Sequence, residues 1–246
     1  MFISKATEST HLLKTLMQQE RYQRQTMLSG FGEQGQRRLS EAKVLVVGLG
    51  GLGAPVASYL TGAGIGTLGL CDCDTVGLSN LQRQTLYTTD DIGLPKTLQA
   101  RQRLAAQNPE VRFRIHPEGL TAGNAREIIG GYDLVMDCSD NFATRYLIDE
   151  TCSEAGIPWV HGSLGEFAGI VGVMNHGEHP CRYRDLFPDA EPVADRPLGV
   201  IGPVAGAIGS IQACEAIKLL AGCGEVLSGR ILTIDLQTMQ WMVFER

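Results

Sequence analysis

The chain is predicted to fold as an α/β protein, a mostly parallel sheet covered by helices on both faces and extended by antiparallel strands in its C-terminal third. Three observations predict it. KVLVVG (43–48) and DLVMDC (133–138) are short, almost uninterrupted apolar runs, the pattern of strands buried on both faces. Such runs alternate with segments long enough for helices, the order of βαβ units. In the last third the strand-like runs follow one another more closely, which favours antiparallel pairing.

Taken in order, residues 10–20 read as a short amphipathic helix with Thr10 as N-cap, within a helical N-terminal extension of 1–20. RYQRQ (21–25) precedes a second short helix around 33–40. The 43–48 strand ends in glycine and opens a helix over 52–63. TLGLCD (67–72) is the next strand, and 75–93 is polar and irregular. Pro95 suits the first turn of a helix over about 95–107. VRFRIH (111–116) alternates as a strand does, and a helix over 142–155 follows the 133–138 strand. PWVHGS and GIVGVMN are further strands. A crossover loop rich in Pro, Asp, Glu and Arg spans 176–198. A helix over 203–221 and strands near 230–235 and 240–244 complete the chain. No repeat or long linker divides it, so 1–246 is read as one domain.

Composition narrows the function. The 246 residues are 43% hydrophobic and 20% charged, which excludes disorder as the main state. A net charge of −6 argues against nucleic acid as the principal partner. The start carries no secretory pattern. The most apolar stretch, 199–222, is broken by Gln212, Glu215 and Lys218, so no membrane span is expected. Seven cysteines, an odd number, do not suit a disulfide framework. The expectation is a cytoplasmic protein with reduced thiols. Cys138, Cys152, Cys214 and Cys223 are expected at packing positions, and Cys71 and Cys73 need not face each other.

The clearest chemical signal is GLGGLG at 48–53, in which Gly48, Gly50 and Gly53 match G-x-G-x-x-G between a strand and a helix. Glycines let the backbone approach a phosphate, and the helix N-terminus favours its charge. Asp72 ends the next strand, where a carboxylate can accept from ribose hydroxyls. The sheet is therefore read as Rossmann-like and nucleotide-binding, with NAD, FAD and ATP all open at this point. Asn80, Arg83 and Lys96 follow in a polar stretch. Two cations there suit a reaction that builds charge at phosphorus, and Asp140 could hold Mg²⁺.

RYQRQ, GLGGLG, DCDTVGLSNLQRQ (72–84), GLPK (93–96), DCSDNFATR (137–145) and GVIGPVAGAIGSIQACEAIK (199–218) together resemble the ThiF/MoeB/HesA family, part of the ubiquitin-activating-enzyme superfamily. The resemblance runs from about residue 21 to the C-terminus. It implies an adenylyltransferase that uses ATP and Mg²⁺ to activate the C-terminal carboxylate of a small ubiquitin-fold sulfur carrier ending in Gly-Gly. Pyrophosphate is released, and the activated carboxylate goes on to a thiocarboxylate for thiamine or molybdopterin synthesis. By matching position, Gly48, Gly50, Gly51, Leu52 and Gly53 line the nucleotide. Asp72 holds the ribose, with Asp74 beside it. Asn80, Arg83, Gln84 and Lys96 contact the phosphates, and Asp140, with Asn141 beside it, binds Mg²⁺. Arg24 matches an arginine donated across a dimer interface, which makes a homodimer functionally necessary.

The sequence departs from this family in two places. Many relatives carry two C-x-x-C zinc pairs. Here Arg182 and Asp185 stand at the first pair's positions and Cys181 is one step out of register, so a structural Cys₄ zinc is not expected. His176, His179 and Cys181 are the remaining ligand candidates, read as part of a solvated loop. The loop position that often holds a sulfur-transfer cysteine in ThiF-like enzymes is Asp195. TTDDI and GLPK favour a ThiF-like pathway, whereas the missing cysteine suits a MoeB-like one or a dedicated carrier in a sulfur-containing metabolite pathway. An NAD-dependent dehydrogenase would explain GLGGLG and Asp72 but not Arg83, Lys96 and Asp140, and its only candidate acid, His161, reads as a core residue. A non-catalytic scaffold would not need those residues at all.

Overall fold

The structure, a computed structural model, describes residues 20–178, 180–188 and 199–245. The expected helix at 10–20 lies outside these residues, as do His179 and Asp195. Eight strands form one sheet in the order β3-β2-β1-β4-β5-β6-β7-β8. Strands β1 (Lys43–Val47), β2 (Thr67–Cys71), β3 (Arg112–His116), β4 (Leu134–Asp137) and β5 (Trp159–Gly165) pair in parallel. Strands β6 (Ala168–Met174), β7 (Arg230–Asp235) and β8 (Gln240–Glu245) continue from β5 in antiparallel register. The expected fold class is therefore observed, with its change of strand direction in the predicted third.

The buried runs explain the parallel half. Val44–Val47 and all of β2 and β4 are buried, because helices cover both sheet faces and neither side of the strand meets water. Helix α1 is helical over 20–26 and precedes α2 (Gly32–Glu41). Helix α3 (Gly53–Ala63) leaves β1, and α4 (Lys96–Gln107) follows the irregular stretch with Pro95 as its N-cap. That stretch holds two 3₁₀ turns, Leu78–Asn80 and Thr89–Asp91. Helix α6 (Phe142–Ala155) starts at Asn141, whose Oδ1 accepts the Thr144 N–H at 2.9 Å.

Two short helices lie where none is expected. Helix α5 (Ala125–Ile129) is a five-residue turn too short to show periodicity. Helix α7 (Tyr183–Leu186) sits inside the stretch read as loop, held because the Tyr183 N–H donates to Asp149 Oδ1 at 2.8 Å.

Helix α8 (Gly202–Ala221) is long and apolar enough, by length and composition, to cross a membrane; here it packs on α3, β5 and β6. The polar residues that break its apolar run are tied down. Gln212 Nε2 donates to the Asp137 carbonyl at 2.8 Å, and Glu215 accepts the Leu227 N–H at 2.7 Å and pairs with Lys218. Cys214, expected in the core, is instead exposed on the outer side of this helix. Cys71, Cys138, Cys152 and Cys181 are buried, Cys73 is exposed and Cys223 is half-buried.

Candidate active site

Strand β1 lies between β2 and β4, so the chain winds outward from β1 in two directions. A crevice opens at the carboxyl ends of strands at such a switch point, and ligands of open α/β sheets bind there. The glycine loop occupies it. Gly48 has φ +90°, a conformation that favours glycine, and a Cβ there would meet the Cys138 carbonyl oxygen at 2.6 Å. A Cβ on Gly53 would collide with the Gly48 carbonyl. The loop can therefore turn tightly against β4 and feed straight into α3. The Ala54 and Val56 N–H groups are taken by the Gly50 and Leu52 carbonyls and Pro55 has none, which leaves the N–H groups of Gly50, Gly51, Leu52 and Gly53 to meet an anion.

The expected residues gather around this loop. Asp72 Oδ2 accepts the Leu49 N–H at 2.6 Å, and its Oδ1 accepts the Asp74 N–H at 2.8 Å. Each carboxylate oxygen keeps a further lone pair, so the bonds that fix the side chain leave capacity for a ribose hydroxyl. Arg83 lies alongside Gly51, with its Cδ 3.5 Å from where a Cβ would stand, and Arg83 Nη1 donates to the Ser79 carbonyl. Asn80 Oδ1 accepts the Gly77 N–H at 3.0 Å, shaping the turn that delivers Arg83. Gln84 is buried against Gly50, and its Oε1 has no hydrogen-bond partner among the described residues. Leu52 is buried as the residue preceding α3.

Lys96 opens α4. Its side chain is 6% exposed, and its Nζ lies 2.8 Å from Asp74 Oδ2. On the other side of the loop, Ser139, Asp140 and Asn141 follow β4. Asp140 is exposed, and the Asn141 amide donates to its Oδ1 at 3.4 Å. Two cations, an exposed carboxylate and a helix N-terminus thus border one crevice.

Arg24 is not part of this cluster. Helix α1 packs at the opposite pole: Gln25 donates to the Ala63 carbonyl, Arg21 to the Gln107 carbonyl, and Asn108 to the Tyr22 hydroxyl. Those partners lie at or just beyond the C-terminal ends of α3 and α4, whose N-terminal ends border the crevice. The eleven residues of α3 alone separate the two poles by about 16 Å. Arg24 is exposed, with no partner among the described residues.

Other residues shape the site through contacts between elements. The buried Tyr87 hydroxyl donates to the Leu49 carbonyl at 2.9 Å, and burial, reinforced by Asp72, raises its pKa and keeps it protonated. Asp137 Oδ1 accepts both the Ser139 N–H and the Ser139 hydroxyl, and its Oδ2 accepts from His161 Nδ1 at 2.7 Å. Arg145 Nη2 donates to the Ser139 carbonyl at 3.1 Å, and Gln212 holds the Asp137 carbonyl. His161, expected as a satisfied core residue, is satisfied on one side only: its Nε2 has no partner among the described residues. Contacts between strands set these positions, and no local spacing signals them.

Among the described residues no group of three or more His, Cys, Asp and Glu side chains gathers as a metal site. His176 and Cys181 are described. Cys181 is buried, with its Sγ directed at the Arg182 carbonyl, so it is a packed residue and not part of a solvated loop.

Known proteins give the comparison. Residues 22–246 match the ThiF family. A sulfur carrier protein adenylyltransferase of Thermus thermophilus is 48% identical over 225 residues, 88% of this chain and 83% of that protein. An adenylyltransferase and sulfurtransferase MOCS3 of Drosophila grimshawi is 47% identical over 228 residues, 90% of this chain; the chain spans 50% of that relative's length. Among solved structures, selenomethionine PaaA superposes with a TM-score of 0.80 at 26% identity, over 93% of this chain and 73% of PaaA.

Proposed function

Because the chain belongs to the ThiF family, we propose that it uses ATP and Mg²⁺ to adenylate the C-terminal glycine carboxylate of a small ubiquitin-fold sulfur carrier, releasing pyrophosphate, and that the carrier serves thiamine synthesis. That the chain is an adenylyltransferase follows from its relatives. The observation that carries the fuller reading is the placement of Arg83, Lys96 and Asp140 around one glycine loop at the switch point. A dinucleotide dehydrogenase needs the loop and Asp72 but not this charge set.

The chain's own groups account for the chemistry. A carboxylate oxygen of the carrier attacks the α-phosphorus of ATP, the bond to the bridging oxygen breaks, and pyrophosphate carries away the electron pair. Negative charge accumulates on the phosphate oxygens, so positioned donors and cations lower the barrier. The N–H groups of the loop, Gly50 to Gly53, cradle the phosphates, and Asp72 orients the ribose. Arg83 and Lys96 neutralise the leaving pyrophosphate. Lys96 is already desolvated, and phosphate takes the place of its exposed partner Asp74. An exposed carboxylate beside a phosphate site is the donor set Mg²⁺ commonly takes, with waters and phosphates completing its shell, so Asp140 fits that ion. When bound, Mg²⁺ would supply further charge neutralisation at the phosphates.

Arg24 cannot reach the crevice of its own chain, which supports a homodimer in which a second copy supplies it. The carrier pathway rests on the ThiF-like TTDDI and GLPK segments. Molybdopterin synthesis is the second reading, favoured by Asp195 at the expected cysteine position. Co-purification followed by mass spectrometry tests the proposal. A small partner ending in Gly-Gly that becomes heavier by one adenylyl group with MgATP is the expected result, and the partner's identity decides the pathway. A protein that reduces or oxidises a nicotinamide cofactor instead would overturn it.

A further inference from the structure

We propose that His161 is a positioning residue for the Asp140 carboxylate, acting through Asp137 and Ser139. The inference rests on the reading of Asp140 as the Mg²⁺ ligand, and it assigns the buried polar cluster beneath that residue a part in the reaction.

The cluster is built around one turn. Asp137 and His161 are fully buried and lie side by side in the parallel β4–β5 register. The imidazole Nδ1–H donates to Asp137 Oδ2 at 2.7 Å, and its Nε2 carries no proton that needs an acceptor. Burial pushes the His161 pKa down, so the ring is neutral and this tautomer serves as a donor. With Oδ2 held, Oδ1 is turned to Ser139, where it accepts the backbone N–H at 3.1 Å and the hydroxyl at 2.6 Å. Arg145 grips the other side of Ser139 through its carbonyl at 3.1 Å. Ser139 is therefore fixed at its N–H, its hydroxyl and its carbonyl, and Asp140 is the next residue. The same turn touches the phosphate loop: a Cβ on Gly48 would meet the Ser139 nitrogen at 3.3 Å.

His161 in turn cannot swing. Trp159, Tyr183 and Phe187 surround it, with ring centroids 5.9, 4.9 and 6.5 Å away. Stability alone does not explain such a group. A buried, partly unsatisfied ionic cluster contributes less to stability than well-packed apolar side chains of the same volume. What the cluster does specify is the direction in which the chain leaves β4, and outer-shell partners of a metal ligand commonly have that role.

The test measures Mn²⁺, as a spectroscopic stand-in for Mg²⁺, binding to the protein with the non-hydrolysable analogue α,β-methylene-ATP, by electron paramagnetic resonance. His161→Leu is expected to weaken Mn²⁺ binding about 10- to 100-fold while metal-free binding of the analogue is unchanged. His161→Asn, which keeps an N–H near the Nδ1 position, is expected to recover most of that loss. Ser139→Ala removes one arm of the brace without touching the ring cluster, and is expected to shift Mn²⁺ binding in the same direction by a smaller factor; it serves as the readout should His161→Leu fail to fold. Wild-type Mn²⁺ affinity in a folded His161→Leu or in Ser139→Ala would overturn the proposal, as would equal loss in the Leu and Asn variants. If the wild-type protein bound no Mn²⁺–nucleotide complex, the nucleotide reading itself would fall, and this inference with it.

Discussion

The ammonium of Lys96 lies 2.8 Å from the carboxylate of Asp74, although the lysine side chain is 6% exposed and the aspartate 66%. The cation is thus buried and its partner is exposed, the arrangement expected if a bound triphosphate takes the partner's place. Asp74→Asn should destabilise the free protein by about 1–3 kcal/mol, the cost of leaving a buried donor poorly satisfied. Saturating MgATP should narrow the gap in melting temperature between variant and wild type. A gap unchanged by nucleotide would show that Lys96 does not meet the phosphates.

Gly48 and Gly53, at the two ends of the β1–α3 loop, should behave differently from Gly51 between them. Gly48→Ala and Gly53→Ala each place a Cβ against backbone that cannot retreat, and should cost at least about 1–3 kcal/mol in chemical denaturation. Gly51→Ala meets only the Ala205 methyl at 3.1 Å and the flexible Arg83 stem. It should fold nearly as well as wild type but bind ATP more weakly, because Arg83 is displaced.

Arg24 should matter for activity and not for folding. Arg24→Ala, at an exposed position, should change stability by no more than about 0.5 kcal/mol, yet abolish adenylation. Mixing it with Asp140→Ala under conditions that exchange subunits should restore about a quarter of wild-type activity, since half of randomly assorted dimers hold one intact site. No recovery would contradict supply of Arg24 in trans.

His161 also gives a pH signature. Burial lowers its pKa in the folded state, so the unfolded chain binds more protons once the pH falls below about 6.5, its ordinary value. Stability contributed by the neutral ring is full above that pH and is lost as the pH falls through the lowered folded value. His161→Asn should flatten that part of the stability profile. His116, lowered mainly by burial as well, would leave a residual slope.

Thiol labelling should separate the cysteines by burial. At pH 7.5 Cys73 and Cys214 should react rapidly and Cys223 more slowly, as read by peptide mass mapping. Cys71, whose thiol is pushed up to about 12 mainly by burial, should resist until the protein unfolds, together with Cys138 and Cys152, which burial also raises.

The sequence was most legible where one physical cause dominates. Strands β1 and β4 declare themselves because both their faces are covered, and the loop because only glycine tolerates its approach to Cys138. Helix α5 was hidden by its length, and Cys214 by apolar neighbours on every side of α8, which obscure the exposed stripe. Within the site, Asp72 and Asp140 were legible because motif spacing places them just past strand ends, and Arg83 and Lys96 because they follow Asp72 through one polar stretch. Tyr87, Asp137 and Arg145 were not singled out, because their roles come from contacts with other elements: Leu49 for Tyr87, and β5 and the β4–α6 turn for the other two. His161 was noticed but given no role, since its partner is 24 residues away on the neighbouring strand.

The most direct test of adenylation is ATP–pyrophosphate exchange with a sulfur-carrier protein ending in Gly-Gly. Exchange should depend on the carrier and on Mg²⁺, and fall at least about 100-fold in both Arg83→Ala and Asp140→Ala, the loss typical of removing one preorganised charge-stabilising group. Near-wild-type exchange in both variants would contradict the account.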